Sequence, residues 1–372
     1  MDLSGGNLTI DTSRAEQKGR GGALSVRMLR VSGGSLTVYD ADAEADGGCL
    51  WTDSFVHSAG KVNLTLCNSA MLGGALWTNT WNKTAAAHLT IQDAQAARGA
   101  GVLASYGAHV DTENLHMSDL SARRDGGCFL TWGRLRFSGT LSLQNCRAKG
   151  SGGAIFAEAG PPKGVRRVTT RIGEEVQVEA NRILCVGCAA PAASLLQLQI
   201  GHAALAEVQI RSDRASMSSM AAGPYATIEV GTLDCSESPG CDISALSSGV
   251  RRLICPRGEG RENLDEGIRC RMCPDGQTRL ATSLEGESQC TACPKIPDMD
   301  IRCTATELGL PPGWMVDLNL TDTSNLSSWF RCPSELACPG GHLQASTRDP
   351  RQPDEVVPMC EKGYEGPGCT RC

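Results

Sequence analysis

The sequence has 372 residues, enough for two domains, and its 35 Lys and Arg against 41 Asp and Glu give a net charge of −6. That balance excludes the basic footprint of a nucleic-acid-binding protein, and no apolar run reaches the roughly 18 residues of a membrane-spanning helix. Glycine is abundant at 43 residues and aromatics make up only 4%, which favours tight turns and small side chains over a core built on rings.

In chain order, the N-terminus MDLSGGNLTI shows neither a basic start nor the apolar core of a signal peptide. Glycine pairs then recur as GGAL from Gly21, GGCL from Gly47, GGAL from Gly73, GAGV from Gly99, GGCF from Gly126 and GGAI from Gly152, in steps of 26, 26, 26, 27 and 26. A fixed period of this size predicts a solenoid or array. Short alternating strands precede most of the pairs: LTV closing at Val38, LTL at Leu66, LTI at Ile91, LHM at Met117 and LSL at Leu143. Apolar, polar, apolar is the pattern of a strand with one face buried. Two residues after each comes an acid or amide: Asp40, Asn68, Asp93, Asp119 and Asn145. Such residues bond local backbone and tolerate the left-handed conformation, so they suit one corner of a coil, while the glycine pair suits another.

The expected fold is therefore all-β, a right-handed parallel β-helix with coils of about 26 residues. It covers residues 1–234, most clearly 1–160. VQV from Val176 and VQI from Val208 mark two further coils at longer spacing, separated by PPKGVRR and RASMSSMAAGP insertions. Eight or nine coils are expected, and Cys185 and Cys188 could tie down the looser end. The stretch LSLQNCRAKGSGGAI, residues 141–155, resembles the repeat of polymorphic outer membrane proteins, with leucine in place of that family's aromatic. The resemblance implies a right-handed β-helix displayed at a cell surface, often for adhesion.

From Cys235 the composition changes, and thirteen of the 19 cysteines fall in residues 235–372. Residues 270–294 read CRMCPDGQTRLATSLEGESQCTACP. The spacing of Cys270, Cys273, Cys290 and Cys293 suits a four-thiolate zinc ribbon. Nine further cysteines, a proline after each CxxC and nearby sequons favour a disulfide module in an oxidising compartment instead. The same segment, within 255–303, resembles the ephrin-receptor-like cysteine-rich module. CEKGYEGPGCTRC from Cys360, within 332–372, resembles the C-terminal half of an EGF-like module, which reads as truncated. In large surface proteins of algae and protists such modules follow GGAI-type repeats and precede a membrane span. The resemblances imply structural disulfides among Cys255, Cys270, Cys273, Cys290, Cys293, Cys303, Cys332, Cys338, Cys360 and Cys369. They also imply membrane attachment through segments that this sequence does not contain. Sequons at Asn7, Asn63, Asn82, Asn319 and Asn325 are candidates for glycosylation.

Several stretches offer candidate chemistry. YDADAEADGG presents Asp40, Asp42, Glu44 and Asp46 as a calcium candidate, against the plainer reading of a solvated corner loop. The adjacent Asp-Asp and Gly-His-Gly of pectin-hydrolysing β-helices are absent, so no catalytic residue and no cofactor is expected. The histidines form no ligand pair, and His88 and His116 lie beside or within repeat strands, which favours a structural role. Cys49 and Cys128 occupy the Ala position of GGAL, with Cys67 and Cys146 each 18 residues on. They are either small buried residues or disulfides between neighbouring coils. Trp51, Trp77 and Trp132 follow the glycine pairs at similar offsets, as core or edge packing or as an exposed stripe that stacks on sugars. The expected function is non-catalytic binding or adhesion by the extracellular part of a cell-surface protein, with a glycan or protein ligand and no nucleic acid. A carbohydrate-active β-helix enzyme, and a structural spacer or receptor ectodomain, are the alternatives.

Overall fold

The computed structural model describes residues 1–15, 19–158, 176–211, 219–238, 241–244, 248–256, 258–265, 267–278, 290–293, 301, 303–316, 329–332, 337–345 and 353–356. The chain divides into two compact units by more than one cut. The first holds Met1–Asp234, Gly240–Arg251 and Leu264–Ile268; the second holds Cys235–Pro239, Arg252–Asn263 and Arg269–Cys372.

The first unit is a parallel β-solenoid of about eight turns, and no helix occurs among the described residues. Its period is set by register. Leu24 pairs with Leu50, Leu50 with Leu76, Leu76 with Val102, Val102 with Phe129, Phe129 with Ile155 and Ile155 with Leu196. On the next face the ladder runs Val38, Leu64, Ile91, Met117, Leu143, Cys185 and Ile210. All seven side chains of that ladder are buried. Each coil alone would leave its inward row in water. Stacking at about 4.8 Å per coil buries the rows against one another and pairs the strands above and below.

The glycine pairs make one corner, for two separate reasons. The first glycine of each pair, at 21, 47, 73, 99, 126 and 152, has φ between 64° and 73°, where a Cβ is penalised. The second glycine is needed for space. A Cβ on Gly48 would lie 2.0 Å from the Gly74 carbonyl oxygen of the next coil, and one on Gly127 would lie 1.9 Å from that of Gly153.

The opposite corner is also a left-handed column: Thr12, Asp40, Leu66, Asp93, Asp119, Asn145 and Gly187, with φ from 46° to 65°. Within it Asn145 Nδ2 donates to Asp119 Oδ1 at 2.9 Å. Asn68, expected here, is displaced. Leu64 rather than Leu66 pairs with Val38 and Ile91, because VNLTL buries Val62 and Leu64 and so brings Leu66 to the corner. A leucine in this conformation costs about 1–2 kcal/mol. Leu66→Asn is therefore expected to raise stability by about 1 kcal/mol, read as a higher urea midpoint at unchanged slope.

The looser end departs from expectation in one place. Val176 is buried, but Gln177 and Val178 pair with Arg134 and Leu135, one face earlier than expected. The strand below Leu141 and Leu143 is Ile183 to Cys185 instead, and Val208 follows Ile183.

The interior is mainly aliphatic, yet it holds an unforeseen string of rings. Phe55, Trp81 and Phe129 stack with centroids 6.3 and 6.4 Å apart, and Phe137 meets Phe129 edge-on at 5.2 Å. His57 pairs with Lys83 along the same face, and both are buried. Lys83 Nζ donates to the Asp111, Glu113 and Thr84 carbonyls at 2.8, 2.6 and 3.2 Å, so its charge is partly solvated by backbone while burial lowers its pKa. Burial lowers His57 to about 4, aided by the charge of Lys83 and opposed by the Gly60 carbonyl 3.3 Å from Nε2. The unfolded chain therefore takes up a proton at His57 that the folded chain refuses. Stability is full above about pH 6.5 and falls as pH drops towards 4, by about 3 kcal/mol. Urea titrations across that window check it, and the slope should flatten in His57→Leu.

Disulfides tie the coils. Cys49–Cys67 and Cys128–Cys146 each join residues 18 apart, with Cα–Cα distances of 5.2 and 5.4 Å. These bonds close single coils and do not link neighbouring ones, because Cys67 stacks on Ala41 of the coil before it. Cys185 bonds Cys188, and Cys235 and Cys241 are also disulfide-bonded.

The second unit is held by nearest-neighbour bonds: Cys255–Cys270, Cys273–Cys290, Cys293–Cys303 and Cys332–Cys338. In each CxxC the first cysteine closes one loop and the second opens the next. The four thiols of the zinc alternative are thereby consumed. Short antiparallel pairs fill the spaces, such as Glu307–Leu310 against Gly341–Ala345. Cys360, Cys369 and the EGF-like stretch lie outside the described residues.

Candidate functional site on the lateral faces

The site residues foreseen in the sequence fall on several surfaces. Asp40 sits in the left-handed corner column, Asp42 is half-buried and Glu44 is exposed. Asp46 is buried and faces Arg20 at 3.8 Å, and burial pushes its carboxyl pKa up. The four acids do not converge. Among the described residues, no group of three or more His, Cys, Asp or Glu side chains is placed to share a metal ion. Asp42 and Glu44 instead border an open recess of about 230 Å³ that includes Arg14, Asn68 and Arg123. The sequons Asn7 and Asn82 are exposed and Asn63 is half-buried; Asn319 and Asn325 lie outside the described residues. His88 and His116 point outwards and are exposed, so the structural histidine is His57.

The tryptophans do not form an exposed stripe. Trp51 and Trp77 are in register and stack at 5.0 Å with planes 9° apart. Leu103, Leu130 and Phe156 continue their column. Although these side chains lie outside the solenoid core, Trp77, Leu103, Leu130, Trp132 and Phe156 are buried together with Leu72, and half-buried Trp51 packs against them. Arg98 seals this layer. Its Nε lies 3.1 Å from Asp125 Oδ2, its Nη1 lies 2.8 Å from Glu158 Oε1, and its guanidinium sits 5.2 Å over the Phe156 ring. Trp132 Nε1 donates to the same Glu158 oxygen at 3.1 Å. With side-chain exposures of 8%, 18% and 13% for Arg98, Asp125 and Glu158, the cluster is structural, not a sugar platform.

A groove of about 770 Å³ lies on the C-terminal coils of the solenoid. Its polar lining is Arg136, Glu179, Asn181, Thr227, Glu229 and Arg251. Ala204, Ala206 and Gly231 leave it open, with Phe137, Leu205 and Val230 beneath. Register places these groups. Arg136 pairs with Glu179 and Glu179 with Ala204. His202 Nδ1 lies 2.8 Å from Thr227 Oγ1, which fixes the next coil. Arg136 and Glu179 form an ion pair at 3.3 Å, exposed at 62% and 39%. A pair so wet is worth little on its own and opens readily to a ligand. No single residue of this groove stands out in the sequence. The only advance signal was the weakening of the glycine period after residue 160, which marks where the coils change shape.

No family model, curated protein or solved structure matches the chain. The groove's chemistry is therefore argued from its own residues.

Proposed function

We propose that the protein is the extracellular, non-catalytic binding part of a surface protein, and that it takes a glycan in the groove of its C-terminal coils. The observation that carries this reading is the groove lining. Guanidinium, carboxylate, amide and hydroxyl groups stand around a strip of small residues, Ala204, Ala206 and Gly231, which suits the hydroxyls of a sugar ring and leaves room for the ring itself. The many disulfides fit an oxidising, extracellular setting, and the second unit serves as a disulfide-held stalk. Membrane attachment, glycosylation at Asn7 and Asn82, and kinship with GGAI-type surface repeats belong to the same proposal. No helix among the described residues is long and apolar enough to cross a membrane.

A second reading has one observation in its favour. Glu179 and Glu229 line the same groove on either side of the coil that carries Ala204, about 10 Å apart at the backbone from two strand spacings. Carboxyl pairs near this separation serve inverting hydrolysis.

The test of binding is retention of the full chain on a panel of neutral and acidic polysaccharides, beside an Arg136→Ala, Arg251→Ala variant. Retention that falls about tenfold in the variant is expected from two lost polar contacts. Equal retention of both chains would place the binding elsewhere.

A further inference from the structure

A different face carries a charge pattern that the groove does not explain. Strand Ser121–Ala122 pairs with Arg147–Ala148, Ser121 opposite Arg147 and Ala122 opposite Ala148. Ala122 and Ala148 are buried, so their neighbours on either side point outwards. Continuing the register sets Arg123 beside Lys149, and the Lys149 amide donates to the Ala122 carbonyl at 3.2 Å. Arg123, Arg124, Arg147 and Lys149 are all exposed, and none is in an ion pair with a described carboxylate. The adjacent acid, Asp125, is turned to Arg98. Arg123 also borders the recess of Asp42 and Glu44 without an ion pair.

Like charges side by side on adjacent strands destabilise a sheet. In a chain of net charge −6, carboxylates to relieve them are plentiful, yet no described carboxylate forms an ion pair with any of these four. We infer that this face binds a linear anionic polysaccharide, its sulfate or carboxylate groups held by Arg123, Arg124, Arg147 and Lys149.

The geometry favours a polymer over a free anion. The cations spread over two coils, Arg147 in a strand and the other three in the bends that follow, and do not converge, so affinity accumulates from repeated weak contacts. The surroundings favour a polysaccharide. Gln95, Ala97 and Ser121 flank the patch without an aromatic ring on which nucleobases could stack. They also offer no large apolar side chain to enter a bilayer. The site is separate from the groove and does not depend on it.

The test uses the full chain on immobilised heparin, polygalacturonate and neutral dextran, with sodium sulfate, phosphatidylserine vesicles and duplex DNA as competitors. The expected result is retention on heparin or polygalacturonate but not dextran, with elution by salt; whichever column retains identifies the anion. Combining Arg123→Gln, Arg124→Gln, Arg147→Gln and Lys149→Gln should weaken retention about tenfold or more, with Tm unchanged or raised because the repulsion is gone. The set Arg123→Lys, Arg124→Lys and Arg147→Lys should keep it. Arg136→Ala, Arg251→Ala should leave it intact, so failure of the groove reading is told apart from failure of this one. No retention on either anionic column, equal retention of the Gln variant, or stronger competition by vesicles or DNA than by the soluble polysaccharides would overturn the inference.

Discussion

Gly48→Ala is expected to cost about 3 kcal/mol or more of folding stability, or to prevent folding. The new Cβ would lie 2.0 Å from the Gly74 carbonyl oxygen and 2.6 Å from the Asn68 carbonyl group. Both are backbone atoms held by ladders to the coils around them, so neither can swing away as a side-chain tip would. The clash must instead spread as a widened gap between coils, which opens buried rows on every face. One position shows what accommodation requires. Ala100 stands where Gly74 stands one coil earlier, and the residue after it is Gly101 where other coils carry Ala75 or Cys128. A methyl is admitted there because the next position gives one up; at Gly48 the next position is disulfide-bonded Cys49. Urea unfolding of Gly48→Ala beside Gly5→Ala separates the effects, since a Cβ on Gly5 meets nothing within 4 Å. A loss at Gly48 no larger than at Gly5 would refute the close approach of the coils.

The second large effect is expected at Arg98. Removing its guanidinium in Arg98→Met keeps most of the volume but leaves the Asp125 and Glu158 carboxylates without the cation they share over the layer of rings. Breaking one side of a largely buried ion cluster costs about 3 kcal/mol. The loss should come from the unpaired charges, so adding Asp125→Asn and Glu158→Gln to Arg98→Met should restore at least half of it. If Arg98→Met is within about 0.5 kcal/mol of the parent, as for an ordinary surface residue, the outer layer does not depend on the cluster. Thermal unfolding of the single and triple variants decides between these.

How much of this was legible in the sequence follows from how local each signal was. The glycine corner was readable because both glycines answer steric demands that recur in every coil. The left-handed column was readable at Asp40, Asp93, Asp119 and Asn145, where side chain and backbone preference agree. It was misread at Asn68, because VNLTL offers two overlapping alternations and only stacking on Val38 and Ile91 selects Leu64. The disulfides of the cysteine-rich region were implied by resemblance, but the closure of single coils by Cys49–Cys67 and Cys128–Cys146 was not, since spacing alone does not say which coil a partner occupies. For Trp51 and Trp77 the shared offset from the glycine pairs left packing and an exposed stripe both open. The choice is made by Leu72, Leu103, Leu130, Trp132 and Phe156, which pack with them from other coils. The groove was invisible for the same reason: Arg136, Glu179, Glu229 and Arg251 are distant in sequence and carry no motif.

The central claim is that a disulfide-tied β-solenoid binds a glycan in its groove and performs no chemistry on it. Its most direct test records retention and new reducing ends together, with the full chain on each polysaccharide of the panel, beside a Glu179→Gln, Glu229→Gln variant. The account predicts retention without new chain ends in either protein. New ends that appear with the parent chain and vanish with the variant would contradict it and make the groove an active site.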